Sequence, residues 1–370
     1  MLSALFVSYA GVLGGGERIL VDLVSRLPDC DVAVACPEGE LARAARDRGV
    51  RVVPVHGHSL ELRGSTRDRL AAPARLVAHA AEVRGLVGPL RPHVLVAWGT
   101  RSALACTAAL RTLRRRPAFV QHGNDLLTGP LIARAARAVA RRADLVISLS
   151  RTIARDLDPT GALADRGVVV NPGVDVDSYA DIDAPAGRPH ALVLSAIVEW
   201  KRPMLALEAV ALASRMLPEI EVTIAGSPLD RRGERLADEM RRRAAEPDLA
   251  GRVHLPGAVA DARAALAGAS CLLHCADCEP FGMALVEALA AGRPVVAPAS
   301  CGPEEIVTEE CGRLFAPGDA RAAAEALVAL HAEPAQTAEL GAGGRSRADQ
   351  HYRIEDSVAR YREALERAAR

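Results

Sequence analysis

Twice along this chain, short apolar runs alternate with helical patterns, and that alternation restricts the fold to parallel α/β sheets. In the first half the runs fall at Ala4–Tyr9, Val32–Cys36, Val52–Val55, Val94–Trp98, Ala118–Gln121, Leu145–Ser148 and Val168–Val170. Helical patterns lie between them, for example Glu17–Arg26, Arg75–Val87 and Gly129–Arg141. A second set follows at Leu192–Leu194, Glu221–Ala225, Arg252–Leu255, Cys271–His274, Pro294–Ala297 and Gly312–Phe315. Asn171–Pro189, between the two sets, is rich in Pro, Gly and Asp with little periodicity and reads as an interdomain linker. A length of 370 residues suits two domains, each with its own core. The expectation is an α/β chain of two doubly wound parallel-sheet domains, at 1–180 and 187–353. A charged amphipathic helix at 354–370 closes it, with Val358, Tyr361 and Leu365 on one face.

Composition narrows the function by exclusion. The formal net charge is zero, so no bulk attraction draws the chain to nucleic acid or a membrane surface. Aromatic residues make up 3%, too few for a base-stacking platform. The cluster Arg111, Arg114, Arg115 and Arg116 reads as a solvated helix end. Leu2–Tyr9 is a short apolar run without a basic segment before it, and reads as a strand rather than a signal peptide. No run reaches transmembrane length, so a cytoplasmic location is expected. The eight cysteines are then expected to be reduced. Cys271, Cys275 and Cys278, with His274 among them, have the look of a zinc cluster, but no second ligand pair stands at the usual spacing, and buried thiols fit better. No metal is expected.

The richest stretch for chemistry is Glu279-Pro280-Phe281-Gly282-Met283-Ala284-Leu285-Val286-Glu287. Phe281 and Gly282 mark the entry to a helix over Met283–Ala291, closed by Gly292 and Pro294. Glu287 shares a face with Met283, Ala284, Ala290 and Ala291, all apolar, so its carboxylate is expected to be largely desolvated unless it meets a polar partner or ligand. Glu279 precedes the helix start, beside backbone N–H groups that favour anions. One element thus offers an anion site flanked by two carboxylates, which suits a ligand bearing phosphates and hydroxyls, such as a nucleotide sugar.

Of the 46 Lys and Arg residues, Lys201 is the only lysine. Its retention points to a site that needs a compact ammonium rather than a planar guanidinium. It lies between the apolar run at Leu192 and the helix that Pro203 opens, in a strand-to-helix loop where parallel sheets bind ligands. In the first half, Ala4–Tyr9 runs into Gly14-Gly15-Gly16-Glu17, a glycine junction that lets backbone approach a ligand. It lacks the third glycine of a dinucleotide fingerprint. Ala118–Gln121 ends in His122-Gly123-Asn124-Asp125, which places His122 at the carboxyl end of a parallel strand.

With these residues in view, the chain resembles the retaining glycosyltransferases of family 4, over nearly its whole length. The resemblance rests on Gly15-Gly16, His122, Asn171-Pro172-Gly173-Val174-Asp175, Lys201, Glu279 and Glu287 with seven residues between, Gly292-Arg293-Pro294, and Gly302-Pro303-Glu304. It implies the GT-B fold, with two facing Rossmann-like domains, a cleft between them and the terminal helix crossing back to the first. It implies that Glu287 holds the donor ribose, Glu279 the donor sugar, and the N–H groups of Gly282, Met283 and Ala284, following Phe281, the sugar and diphosphate. Lys201 would neutralise the diphosphate, approached also by Gly15 and Gly16, with His122 near the transferred sugar. His122, Lys201 and Glu279 are therefore the catalytic candidates, and His122 and Asp125 the acceptor candidates. The family usually carries an Arg five residues before this Lys; here it is Ala196, and Arg202 is the candidate replacement.

The implied reaction is retaining transfer from a nucleotide diphosphate sugar, by default a UDP-sugar, without a metal or other cofactor. A small polar acceptor in the first domain is expected, in natural-product (aminoglycoside-like) or polysaccharide biosynthesis. The competing readings are a nucleotide-sugar epimerase and a non-catalytic sugar-binding protein.

Overall fold

The computed structural model describes residues 1–57, 66–183, 188–259 and 261–370. Its contacts divide the chain into two compact units, Met1–Pro172 with Glu355–Arg370, and Gly173–Ile354.

The first unit is built on a seven-stranded parallel sheet. Its strands are β1 (Leu2–Val7), β2 (Cys30–Cys36), β3 (Arg51–Pro54), β4 (Val94–Trp98), β5 (Ala118–Gly123), β6 (Leu145–Ser148) and β7 (Gly167–Val169), in the order β3-β2-β1-β4-β5-β6-β7. Central β4 is buried at every position, as a strand covered on both faces must be. Strand order reverses between β1 and β4, so the loops leaving their carboxyl ends diverge and open a crevice. Helix Gly15–Val24 starts two residues before the expected Glu17 and buries Leu20, Val21, Leu23 and Val24. The terminal helix Ile354–Ala369 buries Val358, Tyr361 and Leu365. The Tyr361 ring lies 6.1 Å from that of Phe6 on β1.

The second unit holds six parallel strands: β8 (His190–Leu194), β9 (Glu221–Ala225), β10 (Val253–Gly257), β11 (Cys271–Leu273), β12 (Val295–Pro298) and β13 (Gly312–Phe315). Their order is β10-β9-β8-β11-β12-β13, with the reversal between β8 and β11. Helix Pro203–Ala213 packs its alanines and Leu207 and Val210 into the core beneath this sheet.

The segment expected as a linker is partly structured. Val174 exchanges backbone bonds with Tyr352 and Ile354, at 2.8 and 2.9 Å, and Val176–Tyr179 forms a 3-10 turn. Residues 173–180, expected in the first domain, therefore belong to the second unit. Residues 184–187 of that segment lie outside the described residues.

Candidate active site

The strand reversal between β8 and β11 brings two loops together in the second unit. The loop after β8 makes a 3-10 turn at Glu199–Lys201 and passes through Arg202 into helix Pro203–Ala213. The loop after β11 runs from His274 to Gly282, the N-cap of helix Met283–Ala290. Lys201, 78 residues from Glu279 in sequence, meets it here: Nζ donates to Glu279 Oε2. The two side chains are only 15% and 13% exposed, so this is a largely desolvated ion pair. Nζ also lies 4.3 Å above the centre of the Trp200 ring.

A third group, buried His274, presents Nε2 to the same Glu279 oxygen at 3.4 Å, an electrostatic contact without oriented hydrogen-bond geometry. Burial alone would raise the Glu279 carboxyl. His274 and Lys201 outweigh it and hold the group at about 2, so Glu279 is a carboxylate at any physiological pH.

Backbone fixes this loop as firmly as charge does. Gly282 takes φ 116°, a conformation closed to side-chain-bearing residues, and turns the chain into the helix. The Gly302 N–H donates to the Glu279 carbonyl at 2.9 Å. A Cβ on Gly302 would fall 2.0 Å from the Phe281 carbonyl oxygen, so only glycine permits the approach. Past Gly282 the first helical N–H groups, those of Met283 and Ala284 among them, lack partners within the helix.

The other candidates meet expectation unevenly. Glu287 is partly buried, as Lys201 and Glu279 are, on a helix face whose Ala290 and Ala291 are buried. It lies close enough to Tyr179 to help burial raise that phenol. Phe281 is buried against Tyr352, ring centres 5.9 Å apart, and acts as a core wedge. Arg202, the candidate replacement for the cation missing at Ala196, turns to exposed Asp277, with Nε 2.7 Å from Oδ1. The cysteines are not all reduced: Cys278 and Cys301 form a disulfide, their Cα atoms 5.3 Å apart on adjacent loops. Cys271 and Cys275 are core thiols. Among the described residues no group of three or more His, Cys, Asp and Glu is placed to hold a metal ion.

In the first unit the expected residues gather at the carboxyl ends of β1, β4 and β5. Parallel register sets Trp98 beside His122, and their rings stack 3.7 Å apart at 5°. His122 is 2% exposed. Its Nδ1 faces the Tyr361 hydroxyl at 3.3 Å, and Nε2 has no hydrogen-bond partner among the described residues. Burial lowers the imidazole to about 3, which keeps it neutral near pH 7. The Trp98 indole donates to the Gly16 carbonyl at 3.2 Å, and buried Asn124 sits against Gly16, where a Cβ would come within 3.1 Å of its amide nitrogen. Gly15 borders open space. Glu17 has its carboxyl raised by burial, with Asp125 adding to the effect. Asp125 keeps solvent access, yet the protein atoms around it raise its carboxyl against the pull of Arg101.

Sequence comparison decides the family. The profile described as "Glycosyltransferase Family 4" matches residues 13–178, and that described as "Glycosyl transferases group 1" matches 177–347. The chain belongs to the family 4, group 1 glycosyltransferases. Among relatives of the chain, a phosphatidyl-myo-inositol mannosyltransferase of Mycolicibacterium smegmatis is 36% identical over 179 residues, 46% of this chain and 44% of that protein. The match thus spans under half of that relative's length. The lipopolysaccharide core biosynthesis glycosyltransferase LpsE of Rhizobium meliloti is 26% identical over 86% of each chain. The crystal structure of Anabaena HepE in complex with UDP and glucose superposes with TM-score 0.84 at 22% identity, covering 99% of this chain and 100% of that one, and shows the GT-B fold.

His274 is the functional candidate that sequence reasoning passed over. Its position at the carboxyl end of β11, beside the strand reversal, was the available signal; it was weighed only as a metal ligand. Asn124 and Trp98 were likewise unassigned, because their role depends on packing between three strands.

Proposed function

We propose that this glycosyltransferase moves a sugar from a nucleotide diphosphate sugar, a UDP-sugar first, to a hydroxyl of a small polyhydroxylated acceptor with retention of anomeric configuration. The observation that carries the reading is the meeting of Lys201 and Glu279 at the N-terminal end of the helix bearing Glu287. Helix N–H groups and an ammonium together form an anion site. Carboxylates at Glu279 and Glu287 flank it and suit hydroxyls of the sugar and the ribose. Four residues, about 6 Å of helix, separate Met283 from Glu287, a span that fits a diphosphate between those two groups.

In this reading the bond from the anomeric carbon to the diphosphate oxygen breaks, and its electrons leave with the diphosphate. Lys201 exchanges Glu279 for that growing charge, and the N–H groups of Gly282, Met283 and Ala284 share it. The acceptor oxygen bonds to the same face of the anomeric carbon, and its proton passes to the departing phosphate. The cationic role rests on Lys201 and backbone, so the scheme uses no metal ion and no further cofactor. Arg202, the second cation of the loop containing Ala196, is paired with Asp277, which leaves more of the charge to Lys201 and the helix terminus.

The first unit is proposed to take the acceptor, with Asp125 as a contact. His122 serves there as a neutral imidazole. The relatives' names, a phosphatidyl-myo-inositol mannosyltransferase and a lipopolysaccharide core biosynthesis glycosyltransferase, favour a sugar or cyclitol hydroxyl as acceptor; polysaccharide or aminoglycoside-like natural-product biosynthesis is the proposed setting. The test is a panel of UDP-, GDP-, dTDP- and ADP-sugars against sugars and cyclitols, with products read by mass spectrometry and anomeric configuration by NMR. An inverted product would remove retention. Release of nucleotide with an epimerised free sugar would replace transfer by epimerisation.

A further inference from the structure

Strands β11 and β12 pair through Leu272 and Val295, so the loops beyond them run side by side. The first carries Asp277, Cys278 and Glu279, and the second Ser300, Cys301 and Gly302. Three successive links tie them. Ser300 Oγ donates to the Asp277 carbonyl at 3.0 Å, Cys278 is bonded to Cys301, and the Gly302 N–H donates to the Glu279 carbonyl at 2.9 Å. The covalent link is the middle one, and it sits one residue before Glu279.

Two further observations set this pair apart. Cys301 takes φ 57° and ψ −130°, a backbone conformation unfavourable for any residue with a Cβ. A cysteine held there at conformational cost is better explained by its sulfur than by its backbone. The pair is also reachable: both cysteines are half-buried, whereas Cys36, Cys106, Cys271, Cys275 and Cys311 are buried. Cys30, also half-buried, belongs to the other unit.

We propose that Cys278 and Cys301 form a thiol–disulfide exchange site, whose oxidised form holds the Glu279 loop ready for a nucleotide diphosphate and whose reduction by a dithiol weakens that binding. A thiolate of the dithiol attacks one sulfur of the bond, forms a mixed disulfide and releases the other cysteine as a thiolate. The second thiol of the reductant then closes on the mixed disulfide. Two electrons and two protons pass to the protein, giving two cysteine thiols and the oxidised, cyclic reductant. Once the cross-link is gone, two hydrogen bonds are left between these loops, beside the ion pairs of Asp277 and Glu279 with Arg202 and Lys201. The Lys201–Glu279 pair and the start of helix Met283–Ala290 lose pre-organisation, and ligand binding must then supply that ordering.

The effect on nucleotide binding rests on the donor-site reading above; the loop-ordering effect does not. Full-length protein is therefore equilibrated with oxidised glutathione or with dithiothreitol, and three quantities are read. Thiols counted after denaturation should number six in the oxidised protein, the six free cysteines, and eight in the reduced one. Amide hydrogen exchange over residues 277–283 should accelerate on reduction, without added nucleotide. Affinity for UDP or GDP should fall at least about fivefold, within the usual range of site-to-site coupling. Re-oxidation should restore it, and the Cys278→Ser/Cys301→Ser variant should stay at the reduced value in either buffer. Equal thiol counts in the two buffers would overturn the proposal, as would unchanged loop exchange. Equal nucleotide affinity in the two states would also overturn it. If neither nucleotide binds either form, the donor reading fails, and exchange in the loop alone decides whether the disulfide orders it.

Discussion

Replacing Glu279 with Gln tests the electrostatics of the site through stability, independently of any substrate. The wild-type carboxyl is lowered from 4.5 to about 2, as His274 and Lys201 overcome the opposing effect of burial. A difference of about 2.5 in pKa corresponds to roughly 3 kcal/mol. The pair is buried enough that solvent screening removes little of this. Because the folded-state pKa is depressed, this stabilisation is complete above the unfolded value of 4.5. It is lost as pH falls through that value toward about 2.

The glutamine of the Glu279→Gln variant cannot titrate, so the gap between wild type and variant should be widest near pH 7 and narrow by roughly 2 kcal/mol between pH 6 and pH 3. The assay is urea denaturation of both proteins at several pH values, followed by fluorescence of Trp200, which adjoins the pair. A gap of constant size across that range would refute the reasoning, because it would mean that Glu279 titrates normally in the folded protein.

Further substitutions probe the remaining parts of the site. Lys201→Arg should lower turnover at least about tenfold while leaving the melting temperature nearly unchanged, since a planar guanidinium replaces a point charge; equal turnover in a steady-state assay would place Lys201 outside the chemistry. Glu287→Ala should weaken nucleotide binding by about 1.5–3 kcal/mol, the worth of a charged hydrogen bond, and Glu287→Gln by less, as read by calorimetry. Gly302→Ala would force a Cβ to within 2.0 Å of the Phe281 carbonyl. It should destabilise the second unit by more than about 2 kcal/mol and abolish nucleotide binding, checked by denaturation and calorimetry.

Much of this architecture was legible because buried parallel strands announce themselves as apolar runs. All thirteen strands among the described residues fall within two residues of an apolar run in the sequence. The helix Met283–Ala290, its glycine entry and its glycine exit were legible for the same local reasons. What lay beyond reach depends on tertiary packing. The pairing of Lys201 with Glu279 follows from strand order, which no single loop encodes. Phe281 marks the helix entry in sequence, and it becomes a core wedge because Tyr352, 71 residues on, packs against it. Arg202 stood next to Lys201, but its left-handed backbone turns it toward Asp277. The disulfide joins cysteines 23 residues apart, and only the adjacency of β11 and β12 makes them partners. His122 illustrates the opposite limit: its strand-end position was readable, but its burial behind Trp98 and beside Tyr361 was not.

The central claim is that the second unit binds a nucleotide diphosphate at Lys201, Glu279 and Glu287. The most direct measurement is a crystal structure of the protein with UDP. The account predicts ribose hydroxyls at Glu287 and the diphosphate at the N-terminus of helix Met283–Ala290, with Lys201 Nζ turned from Glu279 to a phosphate oxygen. Diphosphate density at the N-terminus of helix Gly15–Val24, with Lys201 still paired to Glu279, would contradict it.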